Sequence, residues 1–94
     1  MTSPESLAGM FKILSADTRL RILNLLKERS LCVNSIACSL KMTAPAVSQH
    51  LRILREAQLV TPERRGYFIH YRLNAGKLEE MLRETQAFLG RGEE

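Results

Sequence analysis

The apolar positions recur every three to four residues along most of the chain and alternate along one segment near residue 70. The first spacing predicts amphipathic helices, and the alternation predicts a strand with one buried face. The resulting order is α-α-α-α-β-β-α, which is mainly α with a β-hairpin. Residues 1–94 are expected to form a single domain, because the chain is only 94 residues long.

The first two helices have recognisable starts. Ser3-Pro4-Glu5 supplies a cap, a first-turn proline and an acidic residue, so a helix is expected over residues 4–14. The second helix is expected to be capped by Ser15 or Asp17 and to end near Lys27. Its broad apolar face predicts a buried central helix and comprises Leu20, Ile22, Leu23, Leu25 and Leu26.

Two further helices are joined by about three residues, which is the arrangement of a helix-turn-helix. Residues 30–33 are interpreted as a connector, and Asn34 as the cap of the third helix. The fourth helix covers about residues 43–57, with Thr43 as its cap and Pro45 tolerated in its first turn. The turn between the two helices contains no glycine, which departs from the usual pattern.

Residues 59–73 are expected to form a β-hairpin wing. Pro62 marks the first strand as an edge strand, and Arg64-Arg65-Gly66 forms a basic turn. Asn74 then caps a last helix over residues 75–89. We expect the first and last helices to pack on each other and on a second copy of the chain, because a three-helix core cannot fully cover their apolar stripes. The alternative is a monomer in which both helices fold over the core.

The fourth helix carries a polar arc of roughly 100°, formed by Ser48, Gln49 and Arg52. A hydroxyl, an amide and a guanidinium suit the base edges and phosphates of a DNA major groove. Lys41 and Thr43 at the helix start are candidates for phosphate contacts. A solvated face would show the same residues, but the neighbouring helix, the short connector and the basic hairpin favour DNA recognition.

Three other polar residues bear on the same interface. Arg64 and Arg65 at the wing tip are candidates for contacts to the DNA backbone or minor groove. His50 lies roughly 160° around the helix from Ser48, which favours a packed or backbone-bonded histidine over a base reader.

The charge distribution agrees with a nucleic-acid partner. The formal net charge is +4, and residues 41–72 carry six basic and two acidic side chains. Non-specific attraction to a polyanion follows from this excess, although a solvated surface could carry the same charges. We expect no enzyme activity, because no nucleophile–base pair, glycine-rich phosphate loop or carboxylate pair stands out. Without a signal peptide or a membrane-spanning run, a cytoplasmic location is expected.

The two cysteines, Cys32 and Cys38, are not expected to form a structural disulfide in a cytoplasmic protein. Cys38 neighbours Ile36, Ala37 and Leu40, so it is interpreted as a small buried residue.

Several separated blocks of the sequence resemble the ArsR/SmtB family of bacterial winged-helix repressors over roughly residues 7–90. These blocks are Asp17–Leu23, Ser48–Leu54, Leu59-Val60, Arg64–Gly66 and His70–Leu73. The resemblance implies a homodimeric winged helix-turn-helix that binds a palindromic double-stranded DNA operator. It also implies release from the operator by a small effector, often a metal ion or a metalloid. The family often has arginine directly after the wing glycine, where this chain has Tyr67; His50 and Tyr67 are therefore kept as possible DNA-proximal residues.

The effector sites of the family match this chain only in part. One family site is a Cys-x-Cys pair at the start of the third helix; here Cys32 is present, but Asn34 stands in the second position. The other uses Asp, His and Glu on the last helix, where residues 76–89 contain no His or Cys. No complete metal site is expected, and no cofactor is assigned with certainty. Cys32 is the candidate effector or redox thiol, ahead of Cys38, with arsenite or another thiophilic species as the ligand.

The leading interpretation is a sequence-specific DNA-binding transcriptional regulator, a repressor released by a small effector such as a metalloid, a metal or a thiol-reactive species. The alternative is a protein-interaction module that keeps the winged-helix scaffold without binding an operator.

Overall fold

Five helices and three strands follow one another in a computed structural model that describes residues 2–91. They are α1 (Pro4–Leu14), α2 (Asp17–Leu26), β1 (Leu31–Cys32), α3 (Val33–Leu40), α4 (Ala44–Glu56), β2 (Val60–Arg65), β3 (Phe68–Leu73) and α5 (Ala75–Leu89). The mainly helical class with a β-hairpin is confirmed, and the short strand β1 is added to the expected order. No helix within residues 2–91 is long and apolar enough to cross a membrane.

Side-chain caps begin three of the helices where the sequence predicted them. Ser3 Oγ accepts a hydrogen bond from the N–H of Ser6 at the start of α1. Thr43 Oγ1 accepts from Ala46 at the start of α4, and the Asn74 side chain accepts from Lys77 at the start of α5. Each cap satisfies a backbone donor that has no partner within its helix.

Two predicted caps are wrong. The N-cap of α2 is Ala16, with no side-chain hydrogen bond. Asp17 is already helical, and the Ser15 hydroxyl instead donates to the carbonyl of Lys12 at 2.7 Å, which closes the end of α1. The N-cap of α3 is Cys32 rather than Asn34, because the segment expected as a connector forms β1 and the helix starts directly after it.

The three strands form an antiparallel sheet in the order β1-β3-β2. Pro62 therefore lies on an edge strand, where its missing N–H costs least. The hairpin turns through two residues, Gly66 and Tyr67, because Arg65 pairs with Phe68. Gly66 has φ +62°, which suits the first central position of a two-residue hairpin turn and which glycine adopts without strain.

The core lies between α2, α3, α4 and the base of the wing. Its fully buried side chains include Ile22, Ile36, Val47, Leu51, Leu54 and Leu59. The prediction of a central α2 holds for Ile22, Leu23 and Leu26, but Leu20 is 49% exposed. Leu20 lies roughly 110° around the helix from the centre of the buried face, so it points away from the core.

Both helices of the helix-turn-helix end at a non-glycine residue in the left-handed conformation. Lys41 follows α3 with φ 56°, and Gln58 follows α4 with φ 65°. In each case the next residue, Met42 or Leu59, donates a backbone hydrogen bond to a carbonyl five residues earlier. The left-handed conformation costs about 1–2 kcal/mol at a residue with a Cβ atom. The turn therefore adopts the shape that glycine usually favours, with lysine in its place.

α1 and α5 lie against each other but bury little of their apolar surface. Leu7 is the buried residue of α1, and Met81 that of α5. Phe11, Leu82, Phe88 and Leu89 stay exposed, with Leu82 and Leu89 more than 60% accessible. The protomer alone therefore leaves much of the apolar stripe of these two helices uncovered.

Candidate nucleic-acid interface

Helix α4 separates its apolar and polar residues cleanly. Val47, Leu51 and Leu54 are buried in the core, whereas Ser48, Gln49 and Arg52 are all exposed, as the predicted polar arc requires. The same helical period therefore anchors one face and presents the other to a ligand.

Arg52 makes one weak side-chain ion pair within residues 2–91. Its Nε donates to Glu56 Oε2 at 3.4 Å, one helical turn further along, and both side chains are largely exposed. An exposed pair of this kind contributes about 0.3–0.5 kcal/mol. The guanidinium can therefore leave Glu56 for a stronger acceptor at little cost.

The start of α4 presents Lys41 and Thr43, both exposed. The Thr43 hydroxyl accepts from Ala46, so it retains its own proton as a donor. Lys41 precedes the helix by three residues and carries its positive charge in the turn itself. Pro45 has no N–H, and the N–H of Ala46 already bonds to Thr43. The positive end of the helix dipole and the nearby ammonium of Lys41 therefore favour an anion such as a phosphate at this end of the helix.

The wing tip carries two arginines with different surroundings. Arg65 donates through Nε and Nη2 to Glu63 Oε1, at 3.3 and 3.0 Å. The other oxygen of Glu63 faces Arg72 at 3.6 Å. Arg64 is exposed and forms no ion pair within residues 2–91. Arg64 therefore has the less constrained charge of the two.

Tyr67 stands at the very tip of the wing and is 98% exposed. The next two residues along β3, Phe68 and Ile69, are also exposed. An aromatic side chain in this position can stack or insert where an arginine would pair with a phosphate.

His50 is half-buried on the back of α4, and among the described residues its ring contacts a side chain rather than the backbone. Its Nδ1 lies 3.3 Å from Nη1 of Arg19 in α2. This agrees with the predicted packed histidine. No role was predicted for Arg19, because its partner lies 31 residues away and no local pattern joins the two.

The two cysteines occupy different environments. Cys32 is half-buried at the N-cap of α3, with its Sγ 3.3 Å from the Ser35 hydroxyl. Hydrogen bonds from the Ser35 side chain and backbone lower the pKa of Cys32, and partial burial opposes them less strongly. Cys38 is exposed, so its predicted burial is wrong. It lies roughly 100° and 160° around α3 from Ala37 and Ile36, which take the core face.

His70 lies between Cys32 and Glu63 in the sheet, opposite each in register. Its Nδ1 is buried without a hydrogen-bond partner among the described residues. Within that same part of the chain, no three His, Cys, Asp or Glu side chains come together in a way that could hold a metal ion.

Comparison with known proteins shows which protein family this chain is similar to. The family model described as "Bacterial regulatory protein, arsR family" matches residues 16–61, from the start of α2 into β2. The transcriptional repressor SdpR of Bacillus subtilis is 34% identical over 85 residues, which cover 90% of this chain and 94% of SdpR.

Two further relatives extend the comparison. The arsenical resistance operon repressor of Escherichia coli is 42% identical over 66 residues, and the match covers 69% of this chain but 56% of that repressor. An ArsR-like transcriptional regulator from Rhodococcus has a similar structure, with a TM-score of 0.79 and 30% identity, covering 87% of this chain and 77% of that one. The chain thus spans nearly all of SdpR and just over half of the arsenical repressor.

Proposed function

We propose that this chain, which belongs to the ArsR family of bacterial regulatory proteins, represses transcription by binding a specific operator through α4. As a member of that family it is a DNA-binding transcriptional regulator rather than an enzyme. α4 is the recognition helix, β2 and β3 form the DNA-binding wing, and repression takes place in the cytoplasm, where the operator is. The observation that carries the proposal is the exposed face formed by Ser48, Gln49 and Arg52.

The side chains of that face suit the two kinds of contact that a specific complex needs. Arg52 can donate two hydrogen bonds to guanine, and Gln49 can pair with adenine, in the major groove. Lys41, Thr43, Arg64 and Arg65 supply phosphate contacts on either side, which fix the register of the protein on the duplex. His50 supports α4 from behind, and Tyr67 reaches the DNA at the wing tip.

A homodimer formed through α1 and α5 completes the proposal. The apolar side chains of these helices, Leu82 and Leu89 above all, stay largely exposed among the described residues of the protomer. A second copy of the chain offers the same apolar surface, which is self-complementary across a two-fold axis. Two recognition helices related in this way read a palindromic operator with half-sites about one helical turn apart.

A fluorescence-polarisation titration against the DNA upstream of the protein's own gene tests the function. We expect tight binding to one fragment, with an affinity that falls steeply as salt rises, because Lys and Arg contacts to phosphate release counterions. A scrambled fragment of equal length is the matched control. Absence of binding at low salt, or equal affinity for both fragments, would instead favour a protein-interaction module on the same scaffold.

Cys32 is the proposed point at which an effector acts. Its lowered pKa raises the thiolate fraction at neutral pH, and the thiolate is the form that reacts with arsenite or an oxidant. The arsenical repressor of Escherichia coli is a relative whose name points to such a ligand. Because β1 joins Cys32 to the wing strand β3, a change at this thiol can reach the DNA-binding hairpin.

Replacing Cys32 with serine is expected to leave operator binding within about twofold and to abolish release by arsenite or an oxidant. Serine keeps the size of the side chain and the contact with Ser35, but it cannot form a thiolate. The measurement is the operator affinity with and without each reagent, and Cys38→Ser is the matched control that should still release. Normal release by Cys32→Ser would show that Cys32 is only structural.

A further inference from the structure

Arg19, in the first turn of α2, binds two other helices at once. Its Nε donates to the carbonyl of Ile13, and its Nη2 donates to the carbonyl of Lys12 at 3.3 Å. Both carbonyls belong to the last turn of α1. Its third group, Nη1, lies 3.3 Å from Nδ1 of His50 on α4.

The chemistry of the guanidinium determines which atom donates and which accepts in each of these contacts. Arginine has five N–H donors in one plane and no acceptor, so Nδ1 of His50 must accept, and the ring proton sits on Nε2. The last carbonyls of a helix have no partner within it and carry partial negative charge, which favours a cation there. The Lys12 carbonyl also accepts from Ser15, so Arg19 adds a third donor there and supplies a partner to the Ile13 carbonyl. The same rigid group contacts the back of α4.

The position of His50 determines which motions of α4 its contact with Arg19 restricts. His50 lies roughly 160° around α4 from Ser48 and Arg52, so it faces away from the proposed DNA surface. It neighbours the buried Leu51, and its side chain is half-buried beside α2. A bond at this point resists rotation of α4 about its own axis and its displacement relative to α1.

We propose that Arg19 is a positioning residue that couples α1 to α4 and thereby sets the half-site spacing that the dimer accepts. The inference rests on the proposed function and deepens it, because it assigns a part in specificity to a residue that does not face the DNA. α1 lies at the proposed dimer interface, so its angle to α4 decides where the second recognition helix points.

The loss of affinity expected at a wrong half-site spacing follows from the geometry of DNA. One added base pair moves a half-site by about 3.4 Å and rotates it by roughly 34°. A rigid link between α1 and α4 cannot follow that change without losing contacts in one half-site. Without the link, α4 can shift to follow the DNA, so the penalty for a wrong spacing shrinks.

The test uses the palindromic fragment that the wild-type protein protects in a footprint of its upstream DNA, together with versions that have one central base pair added or removed. We expect wild-type protein to prefer the native spacing by about tenfold or more. Arg19→Met should reduce that preference to about twofold. Arg21→Met is the matched control, since Arg21 is exposed on the same helix and its one ion pair within residues 2–91 is with Asp17.

A second variant keeps the inference testable if Arg19→Met does not fold. His50→Leu removes the contact with α4 but leaves both carbonyl bonds of Arg19, and it should also flatten the spacing preference. His50→Gln, whose side-chain oxygen can accept from Arg19, should restore it.

The outcomes separate this inference from the proposed function. Wild-type protein that binds no upstream DNA contradicts the proposed function itself. Wild-type protein that binds but accepts every spacing equally contradicts the coupling alone. The coupling is also overturned if Arg19→Met or His50→Leu lowers the melting temperature while the spacing preference stays that of the wild type, because a merely structural contact would do the same.

Discussion

Arg52→Ala is expected to weaken operator binding by roughly 5- to 150-fold for each half-site, since one good arginine–guanine pair contributes about 1–3 kcal/mol. In a dimer the two losses combine, because both half-sites carry the substitution. The stability of the protein should hardly change, because Arg52 is exposed and its contact with Glu56 is weak. Fluorescence polarisation against the operator and a thermal melt measure the two quantities.

The pattern of the loss tells which contact Arg52 makes. If it reads a base, a set of operators with single substitutions will show relaxed preference at one position in each half-site. If it binds a phosphate, all sequences will weaken alike and the salt dependence will become shallower. The matched control is Arg21→Ala, which removes a similarly exposed arginine from a similar i,i+4 pair, with Asp17, on α2. Equal losses of operator affinity for Arg52→Ala and Arg21→Ala would contradict a special role of α4 in DNA recognition.

The helix α4 and its exposed polar face could be predicted from sequence because their determinants are local. Thr43 caps a turn that begins one residue later, and Val47, Leu51 and Leu54 define the buried face by spacing alone. The same spacing leaves Ser48, Gln49 and Arg52 on the exposed side. The wing was also predictable, because alternation and a glycine turn are short-range signals.

What the sequence did not show depends on partners far along the chain. β1 is two residues long, too short for any period, and it exists because β3 lies beside it. The left-handed conformation of Lys41 was not predicted, because the turn contains no glycine. Leu20 and Cys38 were assigned to apolar faces, yet the angular position of each places it outside the core.

The residues of the candidate site divide in the same way, into those that local sequence patterns predict and those that depend on distant partners. Each proposed DNA-facing residue was predicted from the start or the period of one helix, or from the hairpin turn. The contact between Arg19 and His50 joins residues 31 apart and depends on how α1, α2 and α4 pack together. Residues that present a surface can thus be identified locally, whereas residues that orient that surface require the tertiary structure.

Leu82→Glu is expected to convert the dimer to a monomer and to weaken operator binding about 100-fold or more. The reason is that Leu82 is 63% exposed in the protomer, so the charge is tolerated there, but it would lie unpaired in an apolar dimer interface. A monomer holds a single half-site and falls toward the affinity of non-specific binding, which is typically thousands of times weaker. Sedimentation velocity gives the assembly state, and polarisation gives the affinity.

The exposed position of Leu82 makes this variant a test of assembly rather than of folding. Few core contacts are lost, so circular dichroism and the thermal melt should still show a folded protomer. Ala75→Glu is the matched control, because it adds the same charge to α5 at an exposed position in its first turn, where an acid is favourable. Ala75→Glu should remain a dimer and bind normally. A dimeric Leu82→Glu with wild-type affinity would place the interface elsewhere, and the uncovered stripe of α1 and α5 would then need another partner.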